Sequence, residues 1–168
     1  MQKKVQILSL LAVVTFFSGC WKKSEDMAIA SSADNDTIKL VNVLDQKYFE
    51  DAHIPGSLNI SLDDLEKESA DWNKDATVVV YCANYNCSAS AAAARKFKEY
   101  GFNNVKAYEA GMADWAKAGL PVEGPAQEAY LTQENERPVL NENAEQADVV
   151  EISTDELANL LGVQKASN

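Results

Sequence analysis

An uninterrupted apolar run that ends at a cysteine constrains this chain more than any other feature. The run Thr77–Tyr81 contains three consecutive valines, and Cys82 follows it directly. A short loop leads to an alanine-rich segment, Ser88–Tyr100, which is followed by Gly101. The β-branched run favours a strand buried on both faces, and the alanine-rich segment favours a helix that the glycine ends. The pattern predicts a strand that delivers a thiol to a loop at a helix N-terminus.

The segments on either side repeat this alternation of strand and helix. Short apolar runs predict strands at residues 38–44, 57–60 and 104–108, and periodic patterns predict helices at residues 46–51, 61–69 and 112–118. Strands that alternate with helices form a parallel sheet covered by helices on both faces. We therefore predict a small α/β domain over residues 36–125, with its active side chains at the carboxyl ends of the strands.

The N-terminus has the layout of an export signal. Two lysines precede an apolar run over residues 5–17, and Ser18, Gly19 and Cys20 follow it. The run is shorter than the about 20 residues of a membrane span. Gly19-Cys20 is similar to the cleavage box of bacterial lipoproteins, whose cysteine becomes a lipidated N-terminus. We predict a signal peptide over residues 1–19 and lipidation at Cys20, with an uncleaved anchor as the alternative.

Either anchor implies a protein held at a membrane and facing the periplasm or the cell exterior. The small polar residues of segment 20–35 predict a flexible tether without chemistry of its own. The net charge of −11 argues against nucleic acid as a partner, because nothing supplies a basic face for phosphates. The chain has one histidine, His53, which excludes a multi-histidine metal site. We expect no metal and no cofactor.

Several sequence motifs of segment 36–125 resemble those of a single rhodanese domain and follow in the same order. They are His53-Ile54-Pro55-Gly56 after the first strand, Val78–Cys82, Gly111-x-x-x-Trp115, and Gly119-x-Pro121-Val122. The resemblance implies that Cys82 takes a sulfane sulfur from a small donor and becomes a persulfide. It then implies transfer of that sulfur to a thiol or cyanide-type acceptor. His53, Trp72 and Trp115 are predicted to be structural.

The loop after Cys82 departs from the family pattern. Its predicted substrate-binding residues are Ala83, Asn84, Tyr85, Asn86 and Ser88. We expect the backbone amides of residues 83–87 and the helix N-terminus to surround the Cys82 sulfur. The family often carries a cation in this loop, and this chain has none, so thiosulfate lacks its charge partner. The related phosphatases end a longer loop in arginine, where this chain has Ser88, which argues against phosphatase activity.

The second cysteine of the loop, Cys87, is the most informative departure. We hypothesise that it attacks a modified Cys82, and that an external thiol reductant reopens the resulting disulfide. The alternative is a small residue that fills the end of the loop. Three functions stay open: a sulfurtransferase, a dithiol/disulfide redox protein that uses Cys82 and Cys87, and a non-catalytic binding module with the same fold.

The tail, residues 126–168, is acidic, with nine acids against two basic residues. Ser153 and Glu156 have the spacing of a capping box and Gly162 follows, which predicts a short helix near residues 153–162. This piece resembles the segment that often precedes the first strand of a rhodanese domain. We hypothesise that the helix docks back onto the domain; the alternative is a loose helix that binds a partner or nothing.

Overall fold

The computed structural model describes residues 37–137 and 149–165. The predicted signal peptide, the lipidation site Cys20 and the tether lie outside the described residues. Within the two described ranges, no helix has the length and apolarity needed to cross a membrane.

The described residues form one parallel sheet of five strands. Its spatial order is β2-β1-β3-β4-β5, and every pair of neighbours is parallel. The strands are β1 Ile38–Asn42, β2 Leu58–Asn59, β3 Thr77–Tyr81, β4 Asn104–Tyr108 and β5 Val150–Glu151. The most apolar strand, β3, lies in the centre because both its faces are covered. The predicted α/β class with a parallel sheet is confirmed.

Helices cover the sheet on both sides. They are α1 Gln46–Asp51, α2 Leu65–Glu68, α3 Ala89–Glu99, α4 Gly111–Lys117 and α5 Thr154–Leu161, with a single 3-10 turn at Ala129–Leu131. The predicted helix over residues 61–69 is shorter than expected. The Ser61 hydroxyl accepts the Asp64 amide at 3.3 Å and thereby closes a separate turn, so α2 begins only at Leu65.

Alternation along β3 divides the core into two clusters, one on each face of the sheet. Val78, Val80 and Cys82 pack with Phe97 of α3 on one face. Val79 and Tyr81 point the other way, into the cluster that contains Trp115 and Leu157. Cys82 therefore lies on the α3 side of the sheet. Trp115 is fully buried, as predicted, and its Nε1 donates to the Pro121 carbonyl at 2.7 Å.

The C-terminal helix docks on the domain, as hypothesised. Strand β5 pairs with β4, and the Ile152 amide donates to the Ala107 carbonyl at 3.0 Å. Helix α5 follows with the predicted capping box of Ser153 and Glu156, and it ends at Gly162 with φ of +67°. Its Leu157 side chain is 0% exposed within the core. The tail thus supplies both an edge strand and a core-facing helix.

Candidate active site

Cys82 lies where the sequence predicts it, at the carboxyl end of the central strand. It follows β3, which is hydrogen-bonded to β1 on one side and β4 on the other. In parallel sheets this edge is where side chains from several units converge. The loop that follows, residues 82–88, leads directly into α3.

The start of the loop is fastened to the N-terminus of α4. The Met112 amide donates to the Cys82 carbonyl at 3.0 Å, and the Ala113 amide donates to the Ala83 carbonyl at 2.9 Å. Gly111 makes this approach possible. A Cβ atom there would lie 2.5 Å from the Cys82 oxygen and 2.7 Å from the Ala83 carbonyl. Gly111 therefore sets the position of the loop backbone at Cys82 and Ala83.

The sulfur of Cys82 lies among polar groups of the loop and of the first turn of α3. The residue is 0% exposed. Its Sγ lies 3.2 Å from the Cys87 carbonyl oxygen, 3.6 Å from Ser90 Oγ and 4.0 Å from the Asn84 carbonyl oxygen. The two carbonyl oxygens favour the protonated thiol, whereas the hydroxyl and the backbone amide of Ser90 act to lower the pKa of Cys82. Ser90, which is fully buried in the first turn of α3, is a site residue that the sequence analysis missed.

The expected amide cradle around Cys82 is wrong for three of the loop amides. The Tyr85 amide donates to Asn135 Oδ1, the Asn86 amide to Asn84 Oδ1, and the Cys87 amide to the Asn84 carbonyl, each at 3.0 Å. Asn84, which is 9% exposed, takes the two latter amides because its short side chain and its carbonyl both turn back into the loop. These three amides are not available to the Cys82 sulfur.

Cys87 is the more accessible thiol of the pair. Its side chain is half-buried, and no disulfide joins it to Cys82. A hydrogen bond from Cys82 lowers the pKa of the Cys87 thiol to about 6, helped by the Ala89 and Ala83 amides and opposed by burial. The same hydrogen bond, together with burial, raises the pKa of Cys82. The two predicted thiols therefore interact in this loop, and the state of each depends on the other.

The remaining predicted loop residues differ in their access to solvent. Asn86 and Ser88 are exposed, whereas Ala83 and Tyr85 are half-buried. Ser88 contributes its carbonyl to the first turn of α3, where it accepts the Ala92 amide at 3.1 Å. Asn86 and Ser88 are therefore the members of the predicted set that a small molecule in solvent meets first.

Asn135 of the tail was not found from the sequence, although it supports the loop directly. Its Oδ1 accepts the Tyr85 amide, and its Nδ2 donates to the Ala110 carbonyl at 2.8 Å. It thereby links the loop after Cys82 to the start of α4. No local pattern could have found this residue, because it lies in a polar aperiodic segment 50 residues away from its partner.

The tail also brings a cation near the loop. Burial raises the pKa of Tyr85, and the Arg137 guanidinium opposes that shift. Arg137 is itself paired with Glu151. Arg137 and Glu151 line a groove of about 600 Å³ beside Tyr85, together with Asp114 and Lys117. Neither cysteine lines this groove, so it does not contain the thiol site.

His53 is structural, as predicted. Its Nδ1 lies 2.8 Å from the Phe49 carbonyl and its Nε2 lies 3.0 Å from Glu123 Oε2. Backbone hydrogen bonds also join His53 and Glu123 in an antiparallel bridge. Trp72 is half-buried and stacks on Phe97 with ring centroids 5.9 Å apart. In the described parts of the chain, no cluster of three or more His, Cys, Asp or Glu residues could hold a metal ion.

A scan against protein-family models matches residues 26–118, more than half of the chain, to the rhodanese-like domain. The chain belongs to the rhodanese-like family. Thiosulfate sulfurtransferase GlpE of Coxiella burnetii is 32% identical over 78 residues, which are 46% of this chain and 71% of that relative. The match confirms the resemblance predicted from the motifs.

Two other relatives are longer proteins. A putative sulfur carrier protein of Bacillus subtilis is 32% identical over 89 residues, covering 52% of this chain and 47% of the relative. An HTH-type transcriptional regulator of Mycobacterium tuberculosis is 34% identical over 86 residues, covering 51% of this chain and 38% of the relative. This rhodanese-like chain therefore spans less than half the length of these two relatives.

A solved structure supports the fold. The BH2092 protein from Bacillus halodurans is 29% identical, with a TM-score of 0.52 over 58% of this chain and 72% of that one. The similarity agrees with the parallel α/β architecture of the rhodanese-like domain described above.

Proposed function

We propose that this rhodanese-like protein moves sulfane sulfur as a cysteine persulfide in the loop that follows β3. Cys82 stands at the position of the family's catalytic cysteine. The observation that carries the proposal is a pair of interacting thiols at the end of the central strand, beside the N-terminus of α3. Relatives named as a sulfurtransferase and a sulfur carrier support this class of reaction.

The donor is a small sulfur compound and the acceptor is a thiol or a cyanide-type nucleophile. The loop lacks a cation, and Arg137, which acts on Tyr85, is paired with Glu151. A dianion such as thiosulfate therefore lacks a dedicated charge partner here. Persulfides of low-molecular-weight thiols, whose sulfane sulfur carries less charge, suit this loop better.

Intact-mass measurement of the purified full chain tests the proposal. We expect a gain of about 32 Da, the mass of one sulfur atom, on the wild-type chain or on a single Cys→Ser variant of the loop after incubation with glutathione persulfide. The Cys82→Ser/Cys87→Ser double variant should not react at the loop. If sulfur never reaches the loop in the wild-type chain or in either single variant, the proposal fails.

A dithiol/disulfide redox protein is the second candidate function. It is favoured by the direct interaction between Cys82 and Cys87, because two adjacent thiols in an oxidising compartment tend to pair. This function requires an external thiol reductant to reopen the disulfide. It predicts a reversible loss of about 2 Da that needs both cysteines but no sulfur donor.

We further propose that the protein is anchored to a membrane through lipidated Cys20 and faces the periplasm or the cell exterior. The support is the charged, apolar and small-residue layout of the first 20 residues. In fractionated bacterial cells, the wild-type chain should sediment with membranes. Cys20→Ala should lack the lipid and keep its signal peptide. Equal masses of the two N-termini, apart from the substitution, would contradict lipidation.

A further inference from the structure

We propose that the Tyr130 hydroxyl, supplied by the tail, donates a hydrogen bond to the sulfur atom that Cys82 takes from its donor. Tyr130 is then a catalytic residue of the reaction proposed above, and Cys82 remains its nucleophile. The inference rests on the proposed function, because it adds one residue to that chemistry. It gives a loop without a cation a neutral hydrogen-bond donor for the transferred sulfur.

The Tyr130 hydroxyl is buried and has no partner. The tyrosine as a whole is half-buried, and its ring packs edge-on against Tyr48 with ring centroids 6.1 Å apart. Its Oη is shielded from solvent, yet no group among the described residues forms a hydrogen bond with it. An unpaired buried hydroxyl destabilises a fold, so most such groups have a partner. The hydroxyl of Tyr130 is thus free to bind a ligand.

Two contacts fix the tail segment that carries Tyr130. On one side, the Asp51 carboxylate at the end of α1 accepts two successive backbone amides of the tail, each at 3.0 Å. On the other side, the Asn135 side chain accepts the Tyr85 amide at 3.0 Å. Tyr130 is therefore held between α1 and the loop that follows β3.

Tyr130 lies close to the start of that loop. The 3-10 turn that contains Tyr130 contacts α4, whose Met112 amide donates to the Cys82 carbonyl. Tyr130 also packs against the core cluster that contains Tyr81, the residue before Cys82. Tyr85 of the loop packs against the same cluster. These contacts place Tyr130 at the end of the sheet where Cys82 lies.

The electrostatics of the hydroxyl agree with this position. Burial raises the pKa of Tyr130, and nearby negative charge raises it further, first that of Asp51 and last that of ionised Cys82. An effect of the Cys82 charge on Tyr130 requires the two groups to lie near each other, because the interaction decays with distance. The raised pKa also keeps the hydroxyl protonated at neutral pH, so it can donate a hydrogen bond to an anionic sulfur.

The transfer step balances without an oxidant. The Cys82 thiolate attacks the outer sulfur of a thiol persulfide, RS–SH, and Cys82–S–SH forms. The S–S bond of the donor breaks, and RS⁻ leaves with the bonding electron pair and takes a proton from water. Tyr130 keeps its own proton and directs it at the outer sulfur, through which negative charge passes during the exchange. A hydrogen bond aimed at developing charge lowers the barrier.

Persulfide formation in the full chain tests the assignment through Tyr130→Phe, which removes only the hydroxyl. Both the parent and the variant carry Cys87→Ser, so that the second thiol cannot attack a persulfide on Cys82. After treatment with glutathione persulfide and alkylation, the tryptic peptide of residues 75–95 reports the modified fraction of Cys82 and excludes Cys20. We expect formation of the persulfide to slow by about tenfold in Tyr130→Phe.

Stability and a remote tyrosine provide the controls. Tyr130→Phe removes an unpaired buried hydroxyl, so its urea midpoint should equal or exceed that of the parent. Tyr100→Phe makes the same change in a half-buried tyrosine at the far end of α3, and it should leave the rate of persulfide formation unchanged. A slower reaction in a chain that is no less stable separates a role at the sulfur from a role in folding.

The outcomes distinguish the inference from the proposed function. Equal rates for Tyr130→Phe and its parent would overturn the inference and leave sulfur transfer intact. A rate loss that only follows a lower urea midpoint, or that Tyr100→Phe shares, would overturn it as well. A parent that does not react while Cys82→Ser does would place the chemistry on the other thiol and contradict the inference too. If no sulfur reached the loop in the wild-type chain or in either single cysteine variant, the proposed function itself would fail.

Discussion

Replacing Gly111 with alanine is expected to be among the most damaging single changes in this protein. Gly111 has φ of +63°, and a left-handed backbone costs an alanine about 1–2 kcal/mol. The added Cβ would lie 2.5 Å from the Cys82 oxygen, so the backbone must also shift. Overpacking of this kind costs a further ~1–3 kcal/mol. Urea denaturation of the full chain measures the loss in the free energy of unfolding.

Gly119→Ala is the matched control for this substitution. Gly119 has a similar φ of +71°, but a Cβ there would meet nothing within 4 Å. It should show only the cost of the left-handed backbone, about 1–2 kcal/mol. Gly111→Ala should in addition slow persulfide formation, since the shifted atoms belong to Cys82 and Ala83. Equal losses of stability and equal reaction rates in the two variants would contradict the close approach at Gly111.

Truncating Leu157 to alanine is the second change with a large expected effect. The side chain is fully buried in the cluster that contains Tyr108 and Trp115. A buried leucine replaced by alanine typically loses about 2–5 kcal/mol of the free energy of unfolding. The same denaturation experiment measures this loss. The result tests whether the tail, which follows residues 138–148 outside the described part, contributes to the core in solution.

Asn159→Ala supplies the control within the same helix. Asn159 is exposed, and alanine is the better helix former, so the change should remain within about 0.5 kcal/mol. A cost for Leu157→Ala no larger than that of Asn159→Ala would mean that α5 does not dock. Loss of α5 would also remove the hydrogen bond between Thr154 and Tyr108, which are 2.9 Å apart.

The central strand, the helix that follows it and the capping box of α5 could all be predicted because their signals are local. Three valines in a row before Cys82 indicate a buried strand wherever they occur. The alternation of such strands with helices then restricts the topology to a parallel sheet. Docking of the tail could be hypothesised because its helix resembles the segment that often precedes the first strand of a rhodanese domain. Its place beside β4 required the structure, because a helix face does not specify its partner.

At the site, too, some features could be predicted from the sequence and others required the structure. The sequence indicated that Cys82 and Cys87 share one loop, yet it led to the wrong expectation for three loop amides. Those amides bind Asn84 and Asn135, and the choice of partner depends on the curl of the loop and on a tail residue 50 positions away. Ser90 was missed because a serine among alanines carries no signal of its own until the helix is oriented.

The sequence by itself therefore determined that an apolar strand ends at Cys82, that a second thiol follows in the same loop, and that a parallel α/β domain surrounds them. Spacing and hydrophobic periodicity are properties of the chain, and they survive without tertiary contacts. Only the tertiary structure decided that Cys82 is fully buried, with the Cys87 carbonyl oxygen and Ser90 Oγ near its sulfur, while Cys87 is half-buried. Burial and hydrogen-bond partners are set by groups that meet only when the chain folds, and they determine how accessible each thiol is and which groups surround it.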